Sequence, residues 1–287
     1  MTRPGDVSRA RSSPPRSSPL RAGARPRWAW ALLTMAPMAS AALPIASLYL
    51  PALDTPSLHT AEVALVDAGA AAGCVVAATA FEWRDHLARA WTTQGAVYLL
   101  LLIRCVLLAA GSLTGSEGAV VADGVLTSVA NIGGILAAWM LANTGNLAGL
   151  HEVIPPMRRR LTWIMSLVVA WVASGPGLVT SAQHLAHGNA ASLVSVASRA
   201  GDIVGFVLIA PLLLTTLALR RGLLVWPWAL LTASALCWLG ADFANAGFLH
   251  LPNNQVGPFF NMFRYPACLF VLAAGIAQRW VIDSREL

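Results

Sequence analysis

The feature that most constrains this chain is a series of eight apolar runs, at 28–50, 61–81, 95–114, 119–143, 161–181, 190–218, 223–246 and 257–279, joined by short polar segments. A helix needs about twenty apolar residues to cross the hydrocarbon of a bilayer. Without water there, each backbone N–H and C=O must be satisfied inside its own segment, so runs of this length are helices. The expected fold is all-α: a polytopic transmembrane bundle of about eight helices occupying 28–280. It is flanked by a basic tail at 1–27 and a short tail at 281–287. Composition agrees, with 57% hydrophobic and 11% charged residues and a mean hydropathy of +0.64. Residues 1–27 are rich in Arg, Ser and Pro with no apolar periodicity, which predicts a disordered segment.

Arginine placement tests the helix count. The chain has no lysine, and its 19 basic residues are all arginine. With the N-terminus inside, the cytoplasmic segments hold the arginines of the tail, Arg84, Arg89, Arg158 to Arg160, Arg220, Arg221, Arg279 and Arg285, and the outer loops hold none. This satisfies the positive-inside rule at every loop and places both termini in the cytoplasm. The basic balance therefore sets topology and implies no nucleic acid. Absence of lysine excludes Schiff-base chemistry, and arginine in its place fits a high-GC bacterial genome. Ala39-Ser40-Ala41 resembles a signal-cleavage site, but the apolar run continues to Leu50, so an uncleaved first helix is expected.

Three arginines and four aspartates fall inside the spans: Asp67, Arg104, Asp123, Arg199, Asp202, Asp242 and Arg264. Charges in lipid are costly by roughly 2.5–3.5 kcal/mol each, so they face a bundle interior and mark a site or an ion pair. By the topology above, Arg104 lies near mid-span and the other six lie in the outer halves. That arrangement is simplest as one outward-facing polar cavity. Arg199 and Asp202, Asp242 and Asn245, and Asn261 and Arg264 are i, i+3 pairs, while Asp123, Thr127 and Asn131 share one helical stripe. Interhelical ion pairs that fix packing are one reading. The other is an anionic or zwitterionic ligand held by Arg199 and Arg264 and oriented by the aspartates.

Other signals are weaker. His184 and His187, with His59, His250, Glu62 or Glu117, have donor types that can hold a transition metal, but no metal motif is present, and interface histidines are usually solvated. The cysteines Cys74, Cys105, Cys237 and Cys268 fall singly in spans and read as small core residues. Gly69 and Gly73, Gly111 and Gly115, and Gly201 and Gly205 have the spacing that lets helices approach. Ser174 in Ser-Gly-Pro-Gly reads as a helix break, and Pro211 and Pro266 as kinks. Tryptophans at helix ends form an aromatic belt. The spans 161–218 and 223–279 have a loosely repeated hairpin plan. No phosphate loop, dinucleotide fingerprint, nucleophile elbow or zinc-protease pair occurs, and no cofactor is implied.

The stretch Arg199-Ala200-Gly201-Asp202, then Ala210-Pro211-Leu212-Leu213-Leu214 and Arg220-Arg221, followed by Ala241-Asp242, resembles the multi-helix membrane modules that precede diguanylate cyclase or histidine kinase domains in some bacteria. The likeness covers about the last third of the chain. It implies a bundle that senses something in or outside the membrane. No output domain is present in the sequence, so signalling requires a protein partner.

The resulting expectation is a bacterial inner-membrane, multi-pass protein. Its outward-facing polar cavity binds a small ligand or lipid headgroup, as a sensor or accessory subunit. A small-solute transporter and a membrane enzyme acting on a lipid-linked substrate, with Asp202 or Asp242 as acid or base, are the alternatives.

Overall fold

The computed structural model describes residues 27–50, 55–188, 192–220, 222–245 and 253–284. Residues 1–26 and 285–287 lie outside the described residues, as do His250 and Arg221; of the expected tails, Arg27 already belongs to the first helix and 281–283 continue the last one. The described residues form ten α-helices and one short 3-10 turn, with no strand among them. In chain order the helices are α1 Arg27–Ala39, α2 Ala42–Tyr49, α3 Pro56–Ala78, α4 His86–Ala109, α5 Glu117–Leu147, α6 Pro156–Ala186, α7 Ser192–Val207, α8 Ile209–Ala218, α9 Val225–Asn245 and α10 Asn253–Asp283.

Seven helical segments are long and apolar enough to cross a membrane, with α1 and α2 counted as one and α7 with α8 as another. Among the long helices, α9 falls short of that apolarity, because Trp226, Pro227, Trp228, Trp238 and Asp242 dilute its aliphatic residues. It nonetheless packs along α10 and α8. The chain is thus a helical bundle with the character of a multi-pass membrane protein.

Two expected spans are broken. Pro37 and Pro44 lack the amide hydrogen that a continuing helix requires, and the first span turns at Ser40–Ala41, where the Ser40 hydroxyl donates to the Pro37 carbonyl at 2.6 Å. The sixth span breaks at Leu208, three residues before Pro211. There the Ser166 hydroxyl of α6 donates to the carbonyls of Phe206 (2.7 Å) and Val207 (3.3 Å), giving partners to groups the break sets free. Conversely, the expected break at Ser174 does not occur, since α6 runs through Pro176 to Ala186.

The packing order is a closed ring: α3 on α4, α4 on α5, α5 on α7 and α8, α8 on α9, α9 on α10, and α10 on α3. Outside it, α1 and α2 lie against α10, while α6 covers α7, α8 and α9. The main core centres on α10 and includes Trp91, Tyr98, Leu212, Phe270 and Ala274. Trp30 of α1 stacks on Trp226 of α9, centroids 4.9 Å apart, and meets Trp280 of α10 edge-on at 5.7 Å. A smaller core of Ala170, Ala173, Phe206 and Ile209, flanked by Leu239 and Phe243, joins α6, α7, α8 and α9.

Glycine sets the α3–α10 seam. A Cβ on Gly275 would overlap the Gly73 carbonyl, and one on Gly73 would overlap the Leu272 backbone, so the two helices touch main chain to main chain. The other glycine pairs behave differently. Gly201 packs against Ile135 and Asn131, and Gly205 meets nothing within 4 Å. Gly111 and Gly115 lie in the α4–α5 connection at φ of 70° and 82°, where the left-handed backbone requires them. Cys74, Cys105 and Cys268 are buried, and no cysteine among the described residues is disulfide-bonded.

Candidate functional site

The seven charges that interrupt the apolar runs separate into two groups. The first lies where α3, α4, α5 and α10 meet. Asp67, fully buried, is the twelfth of the 23 residues of α3, so it sits at mid-helix and not toward one end as expected. Arg264 of α10 reaches it with Nη2 at 2.8 Å from Oδ2, and the Cys268 thiol donates to Oδ1 at 3.4 Å. One turn before Arg264's level on α3, Glu62 accepts from the Tyr265 hydroxyl at 2.7 Å and lies 3.6 Å from His59. The helix α4 begins nine residues earlier than expected, at His86, so Arg104 falls near its end and not at mid-span. Arg104 pairs with Asp123 of α5, Nη2 donating to Oδ2 at 2.9 Å and Nε lying 2.7 Å from Oδ1. Each arginine in this group carries its own aspartate, so no cation is left for an anionic ligand.

The second group lies between α6, α7 and α9. Arg199 and Asp202 on α7 and Asp242 on α9 are within electrostatic reach of one another, with no ion-pair contact among them. The guanidinium of Arg199 rests on α6 at Gly177, where an added Cβ would come within 3.1 Å of Nε. The absence of a side chain there makes room for the cation. Asn131 of α5 donates to Ser198 at 3.0 Å, next to Arg199. Among the described residues no hydrogen bond or ion pair joins the two groups, so the charges expected in a single cavity fall into one cluster of closed aspartate–arginine pairs and one group without an ion pair. The pairing of Arg199 with Arg264 around one ligand is not what the fold builds.

The register of α6 on α7 is fixed at both ends. Ser166 bonds to the carbonyls of Phe206 and Val207, and Ser181 bonds to Ser195 at 2.8 Å. In an antiparallel pair tied at those points, Ser174 comes level with the turn 199–202. Ser174 is fully buried and its hydroxyl has no hydrogen-bond partner. Sequence reasoning treated Ser174 as a break residue, because the motif Ser-Gly-Pro-Gly gives no sign of which face it presents. Tyr265, Glu62 and Cys268 were likewise not grouped with Asp67 and Arg264. The signals the sequence offers are the adjacency of Tyr265 to Arg264 and the i, i+4 spacing of Cys268 from Arg264.

The stripe of Asp123, Thr127 and Asn131 also divides: Asp123 faces Arg104, Thr127 returns a hydrogen bond to the Asp123 carbonyl at 2.9 Å, and Asn131 faces Ser198. Among the histidines, His59 meets Glu62, while His187 bonds to the Gln183 carbonyl at 2.6 Å at the far end of α6. No three His, Cys, Asp or Glu side chains gather into a metal-binding group among the described residues. The side chains of Asn245 and Glu117 lie outside the described set.

Fold and composition thus define a multi-pass helical membrane protein. Compared with protein-family models, with curated proteins and with solved structures, the chain matches none of them.

Proposed function

We propose that this protein binds a small ligand or lipid headgroup at the polar site between α6, α7 and α9, acting as a sensor or accessory subunit of the bacterial inner membrane. The observation that carries the reading is the contrast between the two charge groups. Asp67 with Arg264 and Asp123 with Arg104 are closed ion pairs, whereas Arg199, Asp202 and Asp242 share a site without closing one. Packing requires only that buried charges be neutralised and hydrogen-bonded. A group left open in a costly environment has a purpose in binding. In this proposal α9 also crosses the bilayer, which gives eight crossings, places both termini in the cytoplasm, and opens the site toward the outer face. The arginine distribution supports that orientation. In this reading a sensory signal passes to a protein partner.

The test is thermal unfolding of the detergent-purified protein across a panel of lipids, anions, amines and metabolites, with Arg199→Ala and Arg104→Ala in parallel. A compound that stabilises the wild type and Arg104→Ala but not Arg199→Ala supports the reading, because a ligand of the native state raises its stability. A panel without effect on the wild type overturns it.

The break between α7 and α8 favours a second reading, small-solute transport. Discontinuous helices line the sites of many transporters, and this one starts six residues after Asp202. Uptake by proteoliposomes, abolished in Asp202→Asn, would place transport ahead of sensing.

A further inference from the structure

Resting on that reading of the site, we infer that its ligand presents a primary ammonium group, received by Asp202, Asp242 and the hydroxyl of Ser174.

Three observations converge on this chemistry. First, the formal charge of the site is −1, with one arginine against two aspartates, so an incoming anion would be opposed and a cation completes neutrality. Second, the three acceptors lie in one layer. The small core of Ala170, Ala173, Phe206, Leu239 and Phe243 sets the common level of α6, α7 and α9. Ser174 is one turn beyond Ala170, Asp202 one turn before Phe206, and Asp242 adjoins Phe243 and follows Leu239 by three residues. Since α6 and α7 run antiparallel, those steps lead in the same direction out of the core. Third, Ser174 is fully buried with a hydroxyl that meets nothing. By contrast, Thr92, Thr127, Ser128, Thr144, Thr215 and Thr232 return their hydroxyls to the carbonyl four residues back. A helical serine that forgoes this bond keeps its oxygen free for another donor.

An ammonium has three N–H donors and no acceptor, which matches two carboxylates and a hydroxyl. A metal ion is less suited, since no three His, Cys, Asp or Glu side chains gather into a metal-binding group among the described residues. A quaternary ammonium has no N–H to offer and would leave Ser174 unsatisfied. Arg199, resting on Gly177 one turn farther along α6, is left to receive whatever acceptor the rest of the ligand carries. The amine can arrive as a free solute or as an ethanolamine headgroup.

The experiment measures thermal unfolding of the full-length protein in detergent with ethanolamine, choline, sodium chloride or sodium phosphate at matched concentration. It is repeated in nanodiscs of phosphatidylethanolamine or phosphatidylcholine. Ethanolamine should raise the melting temperature where choline and sodium do not. Asp242→Asn and Asp202→Asn should abolish that shift, and Ser174→Ala, which removes one oxygen and keeps the fold, should weaken binding about tenfold. A shift with phosphatidylethanolamine nanodiscs alone identifies the headgroup as the source, and a shift with soluble ethanolamine alone identifies a free amine. Equal shifts with ethanolamine and choline, or an ethanolamine shift that survives in both asparagine variants, overturn the inference. Stabilisation by phosphate only, lost in Arg199→Ala, refutes the ammonium while leaving a ligand site in place. No shift with any compound refutes both.

Discussion

Replacing Asp67 by Leu should be among the most damaging single changes in this protein, and replacing its partner at the same time should restore most of the loss. Asp67 is fully buried at mid-helix in α3, and the side chain of Arg264 is only 14% exposed. With Nη2 at 2.8 Å from Oδ2 the charge centres are about 4 Å apart, worth about 4 kcal/mol at an effective dielectric of about 20. Asp67→Leu leaves the guanidinium buried without a counterion, and Arg264→Met leaves the carboxylate so, each expected to cost about 3–5 kcal/mol. The double variant has no charge to strand and fills similar volume, so it should lie within about 2 kcal/mol of the wild type. Equilibrium unfolding in mixed micelles, followed by tryptophan fluorescence, gives the four stabilities of the cycle. The coupling expected is about 3 kcal/mol or more. If the double variant loses the sum of the single losses, the two side chains do not depend on one another and the paired account of this cluster fails.

Four further substitutions have outcomes set by the same geometry. Arg104→Ala removes a pair whose side chains are 27% and 26% exposed, so it should cost about 1 kcal/mol, several-fold less than Arg264→Met in the same unfolding assay. Gly275→Ala should prevent assembly of the α3–α10 seam, lowering the yield of folded protein in size-exclusion chromatography. Gly205→Ala, with nothing within 4 Å, should be neutral or stabilising by up to about 1 kcal/mol through helix propensity. Trp30→Ala deletes a stacked and an edge-on contact that hold α1 to α9 and α10, and should cost about 3–5 kcal/mol. Protease cutting near Ser40 should rise in that variant, and unchanged resistance would show that α1 is held by other contacts.

Much of the architecture is written in hydropathy alone. Segments of apolar residues in lipid have one way to satisfy their backbone, so helix existence follows directly from runs such as 61–81 and 119–143, whose ends lie close to those of α3 and α5. The helix ends were less legible. Residues 86–94 carry His86, Arg89 and Gln94, which read as a loop, yet they are helical because His86 bonds to the Met140 carbonyl at 2.7 Å and Trp91 is buried in the core. That extension is what moved Arg104 from mid-span to the end of its helix. Continuity was also hidden: Pro176 stays inside α6, whereas the break near Pro211 forms because Ser166, forty residues earlier, supplies the missing donor.

The sequence by itself singled out Asp67, Arg104, Asp123, Arg199, Asp202, Asp242 and Arg264, because a charge inside an apolar run is conspicuous in one dimension. Only the tertiary structure decided who meets whom. Spacing along one helix predicts neighbours at i+3 and i+4, but the partners of Asp67 and Arg104 lie 197 and 19 residues away. They are chosen by which helices the glycine seam and the ring of packing bring together. The same choice, by closing two pairs, left Arg199, Asp202 and Asp242 without an ion-pair contact.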